Sequence, residues 1–289
     1  MKLCFTGLGI MGGPMAGHLV RAGHSVTGVN RTYEKAADWA QDNGATAMAT
    51  VEEAVAGVDA LLLCVGRDND VRETVMAALP HLTPGALVID HTTTSAKLAR
   101  ELAKACADRG VVFYDAPVSG GQAGAVNGQL SIMVGGDEGR FAEVTELVKS
   151  YTKSITRLGE AGAGQTAKMC NQIAIAGVVQ GVAEALHFSK CAGLDPQLVL
   201  NAISAGAAGS WQMSNRWPTM AEGKYEFGFA VDWMRKDLGI ALDEARENGA
   251  HLALAALVDQ FYSEVQAMGG ARWDTSSLHA RLEDRRLKR

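Results

Sequence analysis

One glycine pattern, set between an apolar run and a helix-like run, restricts this chain's fold more than anything else in it. Leu3–Thr6 is short, apolar and β-like, Gly7-Leu8-Gly9-Ile10-Met11-Gly12 follows, and Met11–Ala22 reads as a helix closed by Gly23. G-x-G-x-x-G alone is a weak signal, but between a strand and a helix it meets a specific need. Gly7 permits a tight turn, Gly9 lets a bulky group approach the backbone, and Gly12 lets helix and strand pack closely. The helix N-terminus, with Leu8, Ile10 and Met11 in the loop before it, then offers N–H groups and partial positive charge to a pyrophosphate. The competing reading is a plain glycine turn.

A second β-like run, Ser25–Val29, leads to Asn30-Arg31-Thr32. An acidic residue near this point would accept hydrogen bonds from an unphosphorylated ribose. Asn30 brings no charge to repel a 2′-phosphate, and the Arg31 guanidinium can bind one through a charge-assisted fork. NADP is therefore favoured, with NAD still possible. Alternatively, Arg31 stacks on adenine or points to solvent.

Further β-like runs lie at Ala60–Val65, Ala86–Ile89, Val111–Tyr114, Ser131–Val134 and Ser154–Arg157, with helical patterns between most of them. Such alternation predicts an α/β fold, a doubly wound parallel sheet with right-handed crossovers. The pattern changes near Gly159. From Gly164 to about Gly193 the chain reads as one proline-free helix, roughly 40 Å long at 1.5 Å per residue. It is apolar on most faces, so burial on several sides is expected, and Ala174, Gly177 and Gly181 would let another helix approach. Asp195-Pro196 is a good helix start, and helical segments continue to the end. The expected organisation is a Rossmann-type dinucleotide-binding domain at residues 1–162 and an all-helical substrate and oligomerisation domain at residues 163–289. The excess apolar helix surface predicts a homodimer or homotetramer.

A net charge of −5 and no basic cluster in the body of the chain argue against nucleic-acid binding. Positive charge at Arg281–Arg289, interrupted by Glu283 and Asp284, reads as a solvated helix end. The five cysteines show no metal-type spacing and no metal is expected; four lie in apolar or helix-like surroundings and read as buried free thiols in a reducing compartment. No secretory h-region forms before Gly7, and the apolar stretches read as too short or too glycine-broken to span a membrane. A cytoplasmic protein without membrane partners is expected.

Two further segments suggest chemistry. Asp115-Ala116-Pro117-Val118-Ser119-Gly120-Gly121 follows the run Val111–Tyr114. This places a hydroxyl and two unobstructed backbone N–H groups at the carboxyl end of a strand, where a small carboxylate could be held. A surface turn that needs its glycines fits equally. Lys168, Asn171 and Gln172 share one face of an otherwise apolar helix, where a lysine is costly to bury unless paired or functional. A partly desolvated lysine suits proton exchange; a snorkelling lysine is the other reading.

Four segments then carry a resemblance: Gly7–Ala16 (GLGIMGGPMA), Asp115–Gly136 (DAPVSGGQAGAVNGQLSIMVGG), Gly162–Gln172 (GAGQTAKMCNQ) and Lys236–Leu242 (KDLGIAL). In this order, over nearly the whole chain, they resemble the β-hydroxyacid dehydrogenases. That family includes 3-hydroxyisobutyrate dehydrogenase, tartronate semialdehyde (2-hydroxy-3-oxopropionate) reductase and the glyoxylate/succinic semialdehyde reductases. The resemblance implies a Rossmann-type domain, a long inter-domain helix and a helical C-terminal domain. It also implies hydride transfer between NADP(H) and a small β-hydroxy acid or semialdehyde.

On the same ground, Lys168 is the expected acid/base, Ser119, Gly120 and Gly121 the loop for the substrate carboxylate, and Asn171 an amide that places substrate or lysine. Thr93 resembles a residue beside the nicotinamide ribose, Lys236 one that contacts the cofactor, and Asn30-Arg31-Thr32 the version in NADP-preferring members. Two turns depart from the family pattern. His91-Thr92 replaces a small apolar residue or Met followed by Ser, and Cys64-Val65-Gly66-Arg67 replaces a leucine-proline turn. Both alter the expected nicotinamide pocket, which Val65 borders, without removing a catalytic group. Imine reductases generally replace the lysine, so Lys168 speaks for carbonyl and hydroxy-acid chemistry. Trp211 is either a wall limiting substrate size or a core tryptophan. A reductase of glyoxylate, succinic semialdehyde or another ketone is the alternative among enzymes; a non-catalytic NADP-binding module is the alternative from another class.

Overall fold

Alternate residues of the central strands face opposite sides of one sheet, and helices cover both sides. The computed structural model describes the backbone of residues 1–287 and the side chains of residues 1–284. Its first half runs β1 (Lys2–Thr6), α1 (Gly12–Arg21), β2 (Ser25–Val29), α2 (Tyr33–Asn43), β3 (Thr46–Met48), α3 (Val51–Ala54), β4 (Ala60–Leu63), α4 (Asp68–Ala78), β5 (Leu87–Asp90), α5 (Ala96–Ala107) and β6 (Val112–Asp115). It continues through β7 (Val118–Ser119), α6 (Gly121–Val126), β8 (Leu130–Gly136), α7 (Phe141–Val148) and β9 (Thr152–Gly159).

Strands β3-β2-β1-β4-β5-β6 lie side by side and parallel. Leu3, Phe5, Leu62, Leu87 and Ile89 meet α1 and α2 on one face, through Met15, Leu19 and Trp39. Cys4, Leu61, Leu63 and Val88 meet α4 and α5 on the other, through Val75 and Leu102. The α/β doubly wound class therefore holds. Beyond β6 the sheet is mixed: β8 runs antiparallel to β6 and β7, and β9 parallel to β8. Only residues 120–129 separate β7 from β8, short of the dozen or so that a parallel crossover needs.

The second half is α8 (Ala163–Cys191), α9 (Pro196–Ile203), α10 (Trp211–Ala221), α11 (Val231–Asn248), α12 (Ala253–Ala267) and α13 (Leu278–Leu287). Its own core includes Val179, Leu186, Trp217, Met234 and Tyr262. Two compact units result, Met1–Lys168 and Met169–Arg289.

Four expectations are corrected. Among the described residues, of Ala174, Gly177 and Gly181 only Gly177 is closely approached: a Cβ there would lie 3.1 Å from Leu254 Cδ2, whereas one on Gly181 meets nothing within 4 Å and Ala174 is exposed. Cys4 and Cys106 are buried and Cys64 half-buried, but Cys170 and Cys191 are exposed, because they fall on the outward side of α8. Helix α8 is long and apolar enough to cross a membrane by length and composition, against the expectation that no stretch would be; under half of its apolar window is buried. Arg281 is not solvated: it is buried, with Nη1 3.3 Å from Glu264 Oε2 and its guanidinium 3.8 Å from the Phe261 ring. The side chains of Arg285, Arg286, Lys288 and Arg289 lie outside the described residues.

Candidate active site

The three glycines of the first loop meet different surroundings. Gly7 has φ +94°, and a Cβ there would lie 2.2 Å from the Cys64 carbonyl oxygen. On Gly12 a Cβ would lie 1.8 Å from the Gly7 carbonyl oxygen, so the start of α1 can press against the turn only without a side chain. Neither sterics nor φ demands glycine at position 9, where a Cβ would meet nothing within 4 Å among the described residues. That open backbone beside a helix N-terminus is the cradle a pyrophosphate needs. Of the intervening residues, Leu8 is buried, Met11 half-buried and Ile10 exposed.

Asn30 ties this loop to the end of β2. Its Oδ1 accepts from Leu8 N at 3.2 Å and its Nδ2 donates to Thr32 O at 3.1 Å. Thr32, at the N-cap of α2, is exposed, and so is Arg31, for which no hydrogen bond or ion pair is found among the described residues. A neutral, committed amide beside an uncommitted guanidinium can receive a phosphorylated ribose without charge repulsion.

A buried polar network joins the ends of β4, β5 and β6 to the start of α8. Asp115 accepts from Gly162 N at 2.7 Å and from Gln165 N at 2.8 Å. The Gln165 side chain donates to Thr92 O at 2.7 Å and accepts from Thr94 N at 3.0 Å. Thr92 in turn accepts from Val65 N at 3.0 Å through Oγ1, and its own N–H donates to Asp90 Oδ1 at 2.9 Å. The backbone flanking half-buried Thr93 is thus fixed on both sides. Burial pushes the Asp115 carboxyl up to about 7, against the opposing pull of the Gly162 and Gln165 amides. Gln165 and Asp115 stand inside the segments that carry the resemblance, but their partners are far away in sequence; the available signal was a two-armed amide at the start of an apolar helix.

His91 also proves structural. Its Nδ1 lies 2.7 Å from Ala116 O and so carries the proton, leaving Nε2 to accept from Tyr151 OH at 2.9 Å. Burial lowers the imidazole to about 4, so it stays neutral. The unusual His91 is therefore a brace between the turns after β5 and β6.

Val118–Ser119 is held against Ile132–Ser131 of β8, and Gly120 and Gly121 follow with φ of +133° and +60°. Two consecutive positive φ values reverse the chain there, which residues with a Cβ resist. Ser119 is half-buried and both glycines are exposed. Lys168 comes to this loop: it is 7% exposed, and its Nζ donates to Val118 O at 2.9 Å. The first unit thereby brings together Lys168 and the Ser119 loop, and separately the phosphate loop with Asn30.

In the helical unit, Asn171 follows Lys168 by one turn of α8. Its Nδ2 donates to Gln172 Oε1 at 2.7 Å, and Gln172 Nε2 donates to Asp237 Oδ2 at 2.6 Å. Lys236 Nζ lies 3.2 Å from Asp237 Oδ1 and 5.7 Å from the Trp233 ring centre. Asp237 was not singled out in the sequence, although it stands inside the fourth segment. Trp211 is no core residue: it is 62% exposed, with the Arg216 guanidinium 5.2 Å from its ring.

Comparison with known proteins agrees with this geometry. Residues 2–159 match the NAD-binding domain of 6-phosphogluconate dehydrogenase, and residues 162–282 the NAD-binding family of NADP-dependent 3-hydroxyisobutyrate dehydrogenase. An uncharacterised oxidoreductase of Shewanella frigidimarina is 57% identical over 99% of both chains. The 2-hydroxy-3-oxopropionate reductase of Escherichia coli is 35% identical, over 98% of this chain and 97% of that one. The solved 3-hydroxyisobutyrate dehydrogenase of Mycobacterium tuberculosis with L-serine superposes with a TM-score of 0.89 at 33% identity, covering 97% of this chain and 98% of the other. Two family matches in tandem, full-length relatives and a shared fold show that this chain belongs to the β-hydroxyacid dehydrogenase family, as a nicotinamide-dependent oxidoreductase acting on hydroxyl groups.

Proposed function

We propose that the protein interconverts a small β-hydroxy acid and its semialdehyde, of the 3-hydroxyisobutyrate or 2-hydroxy-3-oxopropionate type, with NADP(H) preferred over NAD(H). The observation that carries this reading is the buried Lys168 ammonium, 2.9 Å from the carbonyl that precedes Ser119. A cation held there can attract a substrate carbonyl or alcohol oxygen whose carboxylate rests on Ser119, Gly120 and Gly121. In reduction Lys168 donates a proton to the oxygen; in oxidation it accepts one. A positioned acid/base contributes about 10²- to 10⁴-fold in rate. The nicotinamide supplies the hydride when bound.

We assign Gly7, Leu8, Gly9, Ile10, Met11 and Gly12 to the pyrophosphate, Asn30, Arg31 and Thr32 to the phosphorylated ribose, and Val65 and Thr93 to the nicotinamide half. From the helical unit, Asn171 and Trp211 are assigned to substrate and Lys236 to the cofactor. Residues 1–162 would serve as the cofactor domain and residues 163–289 as the substrate and oligomerisation domain, in a homodimer or homotetramer. The odd number of cysteines, five, fits the cytoplasmic setting assigned to the protein.

The test is NADPH oxidation against small semialdehydes and glyoxylate, with NADH alongside, for wild type and Lys168→Ala. We expect turnover of a carboxylate-bearing semialdehyde with NADPH and a loss of about a hundredfold or more in the variant. Binding of NADPH with no turnover on the panel would overturn the substrate class. Equal kcat/KM with NADH would overturn the coenzyme assignment.

A further inference from the structure

The far end of α8 carries a second constellation, independent of Lys168. Cys191, its last residue, is exposed, and its Sγ lies 3.6 Å from Nε2 of His187, one turn earlier. Nδ1 of His187 lies 2.9 Å from Glu283 Oε1 on α13. Lys190 Nζ stands 3.7 Å from the other oxygen of the same carboxylate. His279 approaches it from within: this side chain is 1% exposed, its Nδ1 lies 3.0 Å from Tyr225 OH, and its Nε2, 3.5 Å from Glu283 Oε1, has no hydrogen-bond partner among the described residues. Burial alone would raise the Glu283 carboxyl, but His187, Lys190 and His279 outweigh it and hold the group below its ordinary range.

Thiol, imidazole and carboxylate stand in the order nucleophile, base and orienting group. The anionic Glu283 fixes the His187 proton on Nδ1, which turns the Nε2 lone pair toward the sulfur. We propose that Cys191 is a nucleophilic thiol, served by His187 and Glu283, that takes up a low-molecular-weight thiol by exchange with a small disulfide. The Cys191 S–H proton passes to His187 Nε2, and the thiolate attacks one sulfur of the disulfide. A new S–S bond forms to Cys191 as the old one breaks. The departing thiolate takes the proton from His187 and leaves as a thiol, so the small disulfide is the oxidant and is half reduced. The C-terminal end of a helix disfavours a thiolate, so enhanced reactivity at this position must come from the imidazole.

Cys170, the other exposed cysteine among the described residues, serves as an internal control. The full-length enzyme is treated with limiting iodoacetamide, and separately with oxidised glutathione, and both cysteine peptides are followed by mass spectrometry. Cys191 is expected to react about tenfold faster than Cys170 and to be the main site of mixed-disulfide formation. His187→Ala and Glu283→Gln should bring the two rates together. Equal rates in the wild type overturn the proposal without recourse to any variant. A Cys191 rate unaffected by His187→Ala overturns it as well, with the unchanged Cys170 rate confirming that the variant is folded. Cys191→Ser should retain the dehydrogenase activity of wild type, so failure here is separable from failure of the substrate assignment.

Discussion

A methyl group on Gly12 would have to overlap the Gly7 carbonyl oxygen, whereas one on Gly9 meets nothing within 4 Å among the described residues. Gly12→Ala should therefore cost about 1–3 kcal/mol or more, as overpacking does, and lower the melting temperature. Gly9→Ala should melt like wild type and bind NADPH more weakly, which fluorescence titration will show. Undiminished binding would remove Gly9 from the pyrophosphate site. Titration gives a second residue-level test. Because Asp115 is raised to about 7, its contribution to stability is present below about 4 and is lost as pH rises through 7. His91 and His279, lowered to about 4, act the other way: their contribution is present above about 6.5 and is lost as pH falls through 4. Among these three groups the two histidines prevail on the acid side. Urea unfolding from pH 4 to 8 should show stability falling below pH 6.5, and less steeply in His91→Gln. An unchanged slope in that variant would mean that His91 is not held neutral.

At the scale of elements, the start of α8 is fastened to the turn after β5 by the two arms of Gln165. Gln165→Leu fills similar volume but leaves Thr92 O and Thr94 N buried without this partner, at about 1–3 kcal/mol for each group. Gln165→Glu keeps the acceptor for Thr94 N and should fall between the two in thermal stability. If Leu costs less than Glu, the amide is not what fastens the turn. The elements themselves were largely legible, because β1, α1, β2 and α8 announce themselves by apolar period and by glycine punctuation. β7, two residues long, has no period to read, and the reversal of β8 follows from a short connection whose length is plain only once both strands are placed. The bonds of Asp115, Gln165 and His91 join residues 25 to 73 positions apart, so their residue types were visible while their partners were not. Trp211 remained ambiguous because one isolated aromatic residue does not reveal which side of a helix faces solvent.

For the whole molecule, the helical unit leaves Val178 of α8, Leu198 of α9, and Leu254 and Leu257 of α12 exposed. Apolar side chains left in water on three helices are what self-association covers, and they predict a dimer or tetramer. Light scattering at micromolar concentration decides this, since a monomeric mass would refute it. Leu254→Glu together with Leu257→Glu should shift the equilibrium toward monomer if the α12 face is the one covered.

If Asn30 and Arg31 hold the coenzyme's ribose as proposed, Asn30 limits how this chain could exchange one coenzyme for the other. Its side chain is committed in two directions, holding Leu8 N with its oxygen and Thr32 O with its nitrogen. An aspartate there would keep the first bond but set a carboxylate against a carbonyl at the second. Under that assignment, coenzyme choice and the shape of the phosphate loop would be inherited together at this position, whereas Arg31 is exposed and bears no such tie among the described residues. A lineage or an engineer seeking NAD would find the open path at Arg31, with changes at Asn30 tolerated only once the neighbouring turn has been rebuilt.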